Sequence, residues 1–325
     1  MTIITHSLAA QPKTTGSLVV ENPAFYELVD KNAQIEVLAE GFKWSEGPVW
    51  VKEGSYLLFS DVPANTIYKW EENKPLEVFL KPSGYTGKMP YSNEPGSNGL
   101  IINIEGQLVA CEHGDRRLTQ MPLNGKGGKF PITDNWNGKR YNSPNDVVQS
   151  QKGTYFFTDP PYGLADYEKD ASREINEFGI YKVSISGQVT QVISDLIRPN
   201  GVALSPDEKI LYVAQSDPDK AYILAYDLDK NENPINGRVL FDATEMVKKG
   251  LKGLPDGLKT DKQGNIFTTG PGGVLILSPK GELLGRIDTD QPTSNCNWGD
   301  DGSYLYMTAN NFLCRIKTKT IGKGF

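Results

Sequence analysis

Short apolar runs recur along the whole chain, and turn residues cut them apart. "YLLFSD", "LIINI", "QLVACE", "TYFFTD", "ILYVAQ", "YILAYDL", "NIFTTG", "VLILSP" and "YLYMTA" are each of strand length and rich in β-branched and aromatic side chains. Glycine (33 residues) and proline (21) punctuate them. Helical spacing is scarce. "ATEMVKKG", residues 243–250, is its best instance, and it is short. The pattern predicts an all-β chain.

A longer period lies over the strands. Glu46 precedes "GPVWVKEGSYLLFSD", Asn98 precedes "GLIINIEGQLVACE", and Asn145 precedes "DVVQSQKGTYFFTD". Asn200 begins "GVALSPDEKILYVA", Asp256 precedes "GLKTDKQGNIFTTG", and Asn295 begins "CNWGDDGSYLYMTA". These starts lie 52, 47, 55, 56 and 39 residues apart. Six such units match four-stranded propeller blades. The expected fold is a six-bladed β-propeller around a central channel, one domain over residues 21–325 behind a flexible leader, residues 1–20. The run "FYELVDKNAQIEVLAEG" should supply the strand that closes the ring onto the last blade and removes the free edge.

Radial repetition changes the meaning of the shared position. The first strand of each blade lines the channel, so Glu46, Asn98, Asn145, Asn200, Asp256 and Asn295 should converge at one mouth. Four amides and two carboxylates give an oxygen-only set, which suits a hard cation. Glu46 and Asp256 would offset two units of charge, and Asn145 and Asn200 would add carbonyl oxygens. Ca²⁺ is favoured for its loose geometry, with Mg²⁺, Mn²⁺ or Zn²⁺ as alternatives. Asn-Gly and Asp-Gly are also ordinary turn signals, so each residue taken alone reads as a turn former before it reads as a ligand. Glu46 resists that reading, because glutamate is not a turn favourite.

Composition narrows the alternatives. The chain has 325 residues and a net charge of −6. It carries no basic footprint for nucleic acid, and an acidic surface disfavours anionic membranes. Three scattered cysteines form neither a disulfide framework nor a metal knuckle. Two histidines exclude a three-histidine zinc site. The start lacks the charge and apolar run of a signal peptide, so the cytoplasm is the expected location. GxSxG, HExxH and GxxxxGK[ST] are absent, which disfavours a serine hydrolase, a zinc protease or a phosphate loop.

Five motifs in blade order resemble the gluconolactonase / senescence marker protein family: "WSEGPVW" (44–50), "NSPNDVV" (142–148), "FTDPPYG" (157–163), "RPNGVALSPDEKILYV" (198–213) and "LPDGL" (254–258). The resemblance spans about residues 40–318. It implies a six-bladed propeller that opens lactones with a divalent metal in its channel. It implies Glu46, Asn200 and Asp256 as metal ligands, Asn145 on the metal or its substrate, and Asp256 as the catalytic carboxylate. Ser143 stands where animal members carry an arginine for sugar hydroxyls.

The expected chemistry is metal-assisted hydrolysis of a small lactone, with Asp256 as general base or nucleophile. Asn98, Asn295, His113, Tyr162 and Asp146 are the candidate substrate contacts. The alternatives are a phosphotriesterase of the diisopropyl fluorophosphatase type and a non-catalytic binding propeller with a structural cation. The expected assembly is a monomer or small homo-oligomer. Residues 166–179 read as an insertion able to form a lid.

Overall fold

The computed structural model describes residues 12–124 and 126–325. Its strands form six blades in chain order. Blade one comprises Ser45–Val51, Tyr56–Asp61, Thr66–Trp70 and Glu77–Leu80. Blade two comprises Ser97–Ile102, Gln107–Glu112, Arg117–Pro122 and Phe130–Thr133. Blade three comprises Val147–Gln149, Tyr155–Asp159, Phe178–Val183 and Val189–Leu196. Blade four comprises Pro199–Leu204, Ile210–Asp217, Lys220–Leu228 and Pro234–Asp242. Blade five comprises Leu258–Thr260, Ile266–Gly270, Gly273–Leu277 and Leu283–Asp288. Blade six comprises Asn295–Gly299, Tyr304–Ala309 and Phe312–Lys317, completed by Ile35–Glu40 from the other end of the chain. The first strands touch in sequence and return from blade six to blade one, so the ring is closed. The six-bladed propeller expected from the repeats is the observed fold.

The core lies in the seams between blades. Val49, Leu58 and Ile67 of blade one pack against Leu100, Leu108 and Met121 of blade two. Phe156 and Ile180 of blade three meet Val202, Leu211 and Val213 of blade four in the same way. Apolar strand faces are therefore buried against the next blade, and burial on this scale is the main stabilising term.

Two expectations about the first 41 residues need correction. Only the second half of "FYELVDKNAQIEVLAEG" forms the closing strand. Phe25–Leu28 is a single helical turn that sinks Phe25 and Leu28 into the seam of blades five and six. Part of the presumed leader is also structured. Thr14–Thr15 pairs with Ile35–Glu36, and Ser17–Val20 pairs with Gly285–Asp288 as a fifth strand of blade five. Backbone pairing at an open blade edge orders this segment, and its side chains give little apolar alternation to announce it. Residues 1–11 lie outside the described residues.

The glycine after each of four ring residues has a packing cause. Only Gly47 has a positive φ, +50°. A Cβ on Gly47 would lie 2.1 Å from the Asn98 carbonyl oxygen, and one on Gly201 2.2 Å from that of Asp256. A Cβ on Gly257 would lie 2.1 Å from the Asn295 side chain, and one on Gly99 2.5 Å from Asp146 Oδ1. Gly99 N–H donates to the Asn145 carbonyl at 2.7 Å. These glycines let neighbouring blades approach closely at the channel mouth; at Gly99, Gly201 and Gly257 space selects glycine, and at Gly47 the positive φ adds to it. Gly201→Ala should therefore lower stability by about 1–3 kcal/mol, read as a lower urea midpoint at unchanged slope; an unchanged midpoint would refute the packing account.

Candidate active site at one mouth of the channel

The ring residues do converge. Each sits at or just before the start of the innermost strand of its blade, where the strand is bulged or irregular in blades one, two and four. A cavity of about 460 Å³ opens there. Glu46, Asn98, Asn200 and Asp256 line it together with Tyr162, Glu94 and Ser216. Trp44, Pro218, Val247, Leu254 and Pro292 supply an apolar wall. Val247 belongs to the short helix Thr244–Lys248, which accounts for the one helical pattern visible in the sequence.

The hydrogen bonds around the ring are one-sided. Glu46 Oε2 accepts from Gly47 N–H at 2.9 Å and from Asn295 Nδ2 at 3.2 Å. Asn200 Nδ2 donates to Ser216 Oγ at 3.0 Å. Asn145 Nδ2 lies 3.3 Å from His113 Nε2. The oxygens Asn98 Oδ1, Asn145 Oδ1 and Asp256 Oδ1 are sealed from solvent and have no hydrogen-bond partner. Leaving such an atom unsatisfied costs about 1–3 kcal/mol; Asn98 and Asp256 line the cavity, whereas Asn145 does not.

Charge sharpens the same point. Burial raises the pKa of Glu46, and the Asp146 carboxylate adds to the effect against the opposing Gly47 N–H bond. Burial also holds Asp256 well above the usual carboxylate range, with Glu46 the next cause. Each charge makes the other harder to keep. Three unpartnered oxygens beside two mutually repelling carboxylates fit a hard, oxygen-seeking divalent cation. Glu46, Asn145, Asn200 and Asp256 are the side chains that would hold it. Among the described residues no three His, Cys, Asp or Glu side chains gather into a metal cluster. The donors here are half amide, so that is consistent with the oxygen set.

Several predicted contacts stand elsewhere than the cavity wall. His113 is fully buried behind Asn145 and does not line the cavity. Asp146 is buried too. It accepts from Val202 N–H at 3.4 Å and lies 3.9 Å from Lys259 Nζ. It thus ties blade three to blades four and five. Asn295 orients Glu46 and is likewise absent from the wall. Tyr162 and Asn98 do line the cavity. The Tyr162 hydroxyl faces Ser216 and Asn200, and burial raises its pKa.

The motif residues around Tyr162 have a structural task. Asp159 accepts from the Asn142 and Ser143 backbone N–H groups, each at 2.8 Å, and Ser143 Oγ bridges the Pro160 carbonyl and Gly163 N–H. "NSPND" and "FTDPPYG" are therefore two halves of one turn that presents Tyr162. The 166–179 insertion lines none of the cavity. Arg173 caps the carbonyls of Glu168, Ile175 and Asn176, and Glu168 pairs with Arg198 at 2.8 Å.

Two wall residues escaped the sequence reading. Ser216 ends the second strand of blade four and fixes Asn200. Glu94 comes from the irregular connection between blades one and two, and burial pushes its carboxyl up to about 7. Gly96 N–H to Val62 O (3.0 Å) and Gly114 N–H to Pro95 O (3.2 Å) pin that connection. The cavity thus carries three carboxylates and no Lys, Arg or His. A larger cavity, about 700 Å³, opens at the far ends of the inner strands and contains no ring residue.

Residues 44–311 match the family described as SMP-30/Gluconolactonase/LRE-like region. The chain belongs to this family. A gluconolactonase of Zymomonas mobilis is 42% identical over 315 residues, covering 95% of this chain and 88% of the relative. A lactonase of Staphylococcus aureus is 24% identical over 288 residues, 85% of this chain and 78% of the relative. The solved structure of a gluconolactonase from Xanthomonas campestris superposes with a TM-score of 0.81 at 26% identity, covering 97% of this chain and 99% of that one. The family match contains all six ring residues, from Glu46 to Asn295.

If the ring holds a cation, Ca²⁺ at a hundredfold excess over its Kd adds about 2.7 kcal/mol of stability. The melting temperature of EDTA-treated protein should rise accordingly on adding Ca²⁺. In Glu46→Gln the rise should shrink or vanish; an identical rise in both proteins removes Glu46 from the ligand set.

Proposed function

We propose that this chain is a divalent-cation-dependent lactonase acting on neutral lactones at the ring-bearing mouth, with Asp256 as its catalytic carboxylate. The observation that carries this reading is the set of unpartnered buried oxygens beside Glu46 and Asp256 on a cavity of small-molecule size. Family membership and the 42% identical gluconolactonase support the choice of lactones over other esters.

A bound divalent cation supplies Lewis acidity that polarises the lactone carbonyl and steadies the oxyanion. The protein does the remaining work. Asp256 is half-buried, with Oδ1 sealed and the rest of the carboxylate open to the cavity. As a carboxylate open to the cavity, it can take the proton of the attacking water. The proton it takes is then available to the ring oxygen as the C–O bond breaks. Trp44, Leu254 and Pro292 exclude water from one side of the substrate. Asn98 and Tyr162 offer polar groups to ring hydroxyls.

A pH-stat panel of γ- and δ-lactones tests this directly. Asp256→Asn should reduce kcat by about 10²–10⁴-fold, and unchanged turnover would remove Asp256 from its role. EDTA should abolish turnover and added Ca²⁺ restore it. A binding propeller with a structural cation would instead lose only thermal stability. A single turnover in ¹⁸O water should leave the Asp256 carboxylate unlabelled; label there means that it acts as the nucleophile.

The wall chemistry also selects the substrate's charge. With three carboxylates and no cationic side chain, an anionic lactone meets uncompensated repulsion from Glu94. At pH 8 the wild type should favour a neutral lactone over its carboxylated analogue. Glu94→Gln should narrow that preference in kcat/KM by about tenfold, equivalent to ~1.4 kcal/mol. Equal preference in the two proteins would show that Glu94 takes no part in selection.

A further inference from the structure

We propose that His113 is a positioning residue, whose neutral ring holds the Asn145 amide with Oδ1 turned to the ring axis and so sets the affinity for the divalent cation. The inference rests on the cation-dependent reading above. It follows from hydrogen-bond bookkeeping around one imidazole.

His113 Nδ1 lies 3.2 Å from the Glu94 carbonyl oxygen. A carbonyl can only accept, so Nδ1 carries the proton. The ring is fully buried, its nitrogens meet only a backbone carbonyl and an amide, and no carboxylate bonds it to compensate a charge. Nε2 is then a bare lone pair facing Asn145 at 3.3 Å. Only the amide nitrogen can satisfy it. The opposite orientation would press Oδ1 against that lone pair, acceptor against acceptor. Asn145 must therefore donate through Nδ2 and point Oδ1 away from His113, which is where Oδ1 is found buried and without a partner.

The ring itself cannot turn away. His113 N–H donates to the Gly96 carbonyl at 3.1 Å. Gly163 backs the side chain so closely that a Cβ there would lie 2.5 Å from His113 Cβ. The same imidazole thus joins a ligand in blade three to the connection that carries Glu94. A residue oriented in this way acts through Asn145 and touches neither substrate nor cation.

The test uses the full-length, EDTA-stripped protein and Ca²⁺ as the probe, with Kd read by calorimetry. His113→Leu offers no acceptor to Asn145, and its Kd should rise about 10–100-fold. His113→Gln can accept from Asn145 and donate to Glu94, and should stay within about threefold of wild type. Equal binding by the Leu variant, or equal loss in both variants, overturns the proposal. Wild type that binds no divalent cation removes the cation reading, and this inference with it. A second measurement needs no variant. The chain has only two histidines, so ¹⁵N spectra of the imidazoles can assign the His113 tautomer in the intact protein. A protonated Nδ1 with bare Nε2 at neutral pH is expected, and the Nε2–H tautomer or an imidazolium would refute it.

Discussion

The close approach of neighbouring inner strands at the channel mouth governs the rest of the structure. Where Gly47, Gly99, Gly201 and Gly257 pass the next blade, a Cβ on the glycine would meet that blade's atoms at 2.1–2.5 Å. That contact sets how tightly six blades wind around the axis. It also fixes the residue immediately before each glycine, because a strand held by its backbone leaves that side chain little choice of direction. Four of the six ring positions, Glu46, Asn98, Asn200 and Asp256, are directed in this way; Asn145 and Asn295 have no glycine after them. Packing comes first, and the chemistry is placed by it.

The arrangement has an electrostatic cost that packing must carry. Glu46 raises the pKa of Asp256, and Asp146 and Glu94 add to the unfavourable field at both. Around them, the Asn145 nitrogen is spent on His113 while its own Oδ1 goes without a partner, as do Asn98 Oδ1 and Asp256 Oδ1. A network built only to hold the fold would pair both ends of each amide, since a half-satisfied buried network is worse than an apolar one. The unused oxygens point to a role in binding.

Most of the fold was legible because propeller blades repeat. A shared offset from a Glu, Asn or Asp to the next turn glycine exposed the period, and the period implied a ring. The same repetition made Glu46, Asn98, Asn200 and Asp256 readable as neighbours. Residues outside the repeat were not. Glu94 lies in a connection with no counterpart in the other blades, so nothing in its surroundings marked it. The role of His113 depends on a neighbour 32 positions away in another blade, which periodicity cannot reveal. Thr14–Thr15 and Ser17–Val20 are ordered by edge pairing alone, and edge pairing leaves little trace in side-chain pattern.

Blade six borrows its outer strand from residues 35–40, and its first strand reaches back to blade one. Ser294 Oγ donates to the Ser45 carbonyl at 2.6 Å, and Asn295 Nδ2 to Glu46, across 249 positions of chain in each case. During synthesis Glu46 leaves the ribosome early, yet its partner is made near the end. A nascent chain therefore cannot assemble the complete ring of donors one blade at a time. The centre is complete only when the circle shuts, so it exists only in a chain translated and folded through its sixth blade.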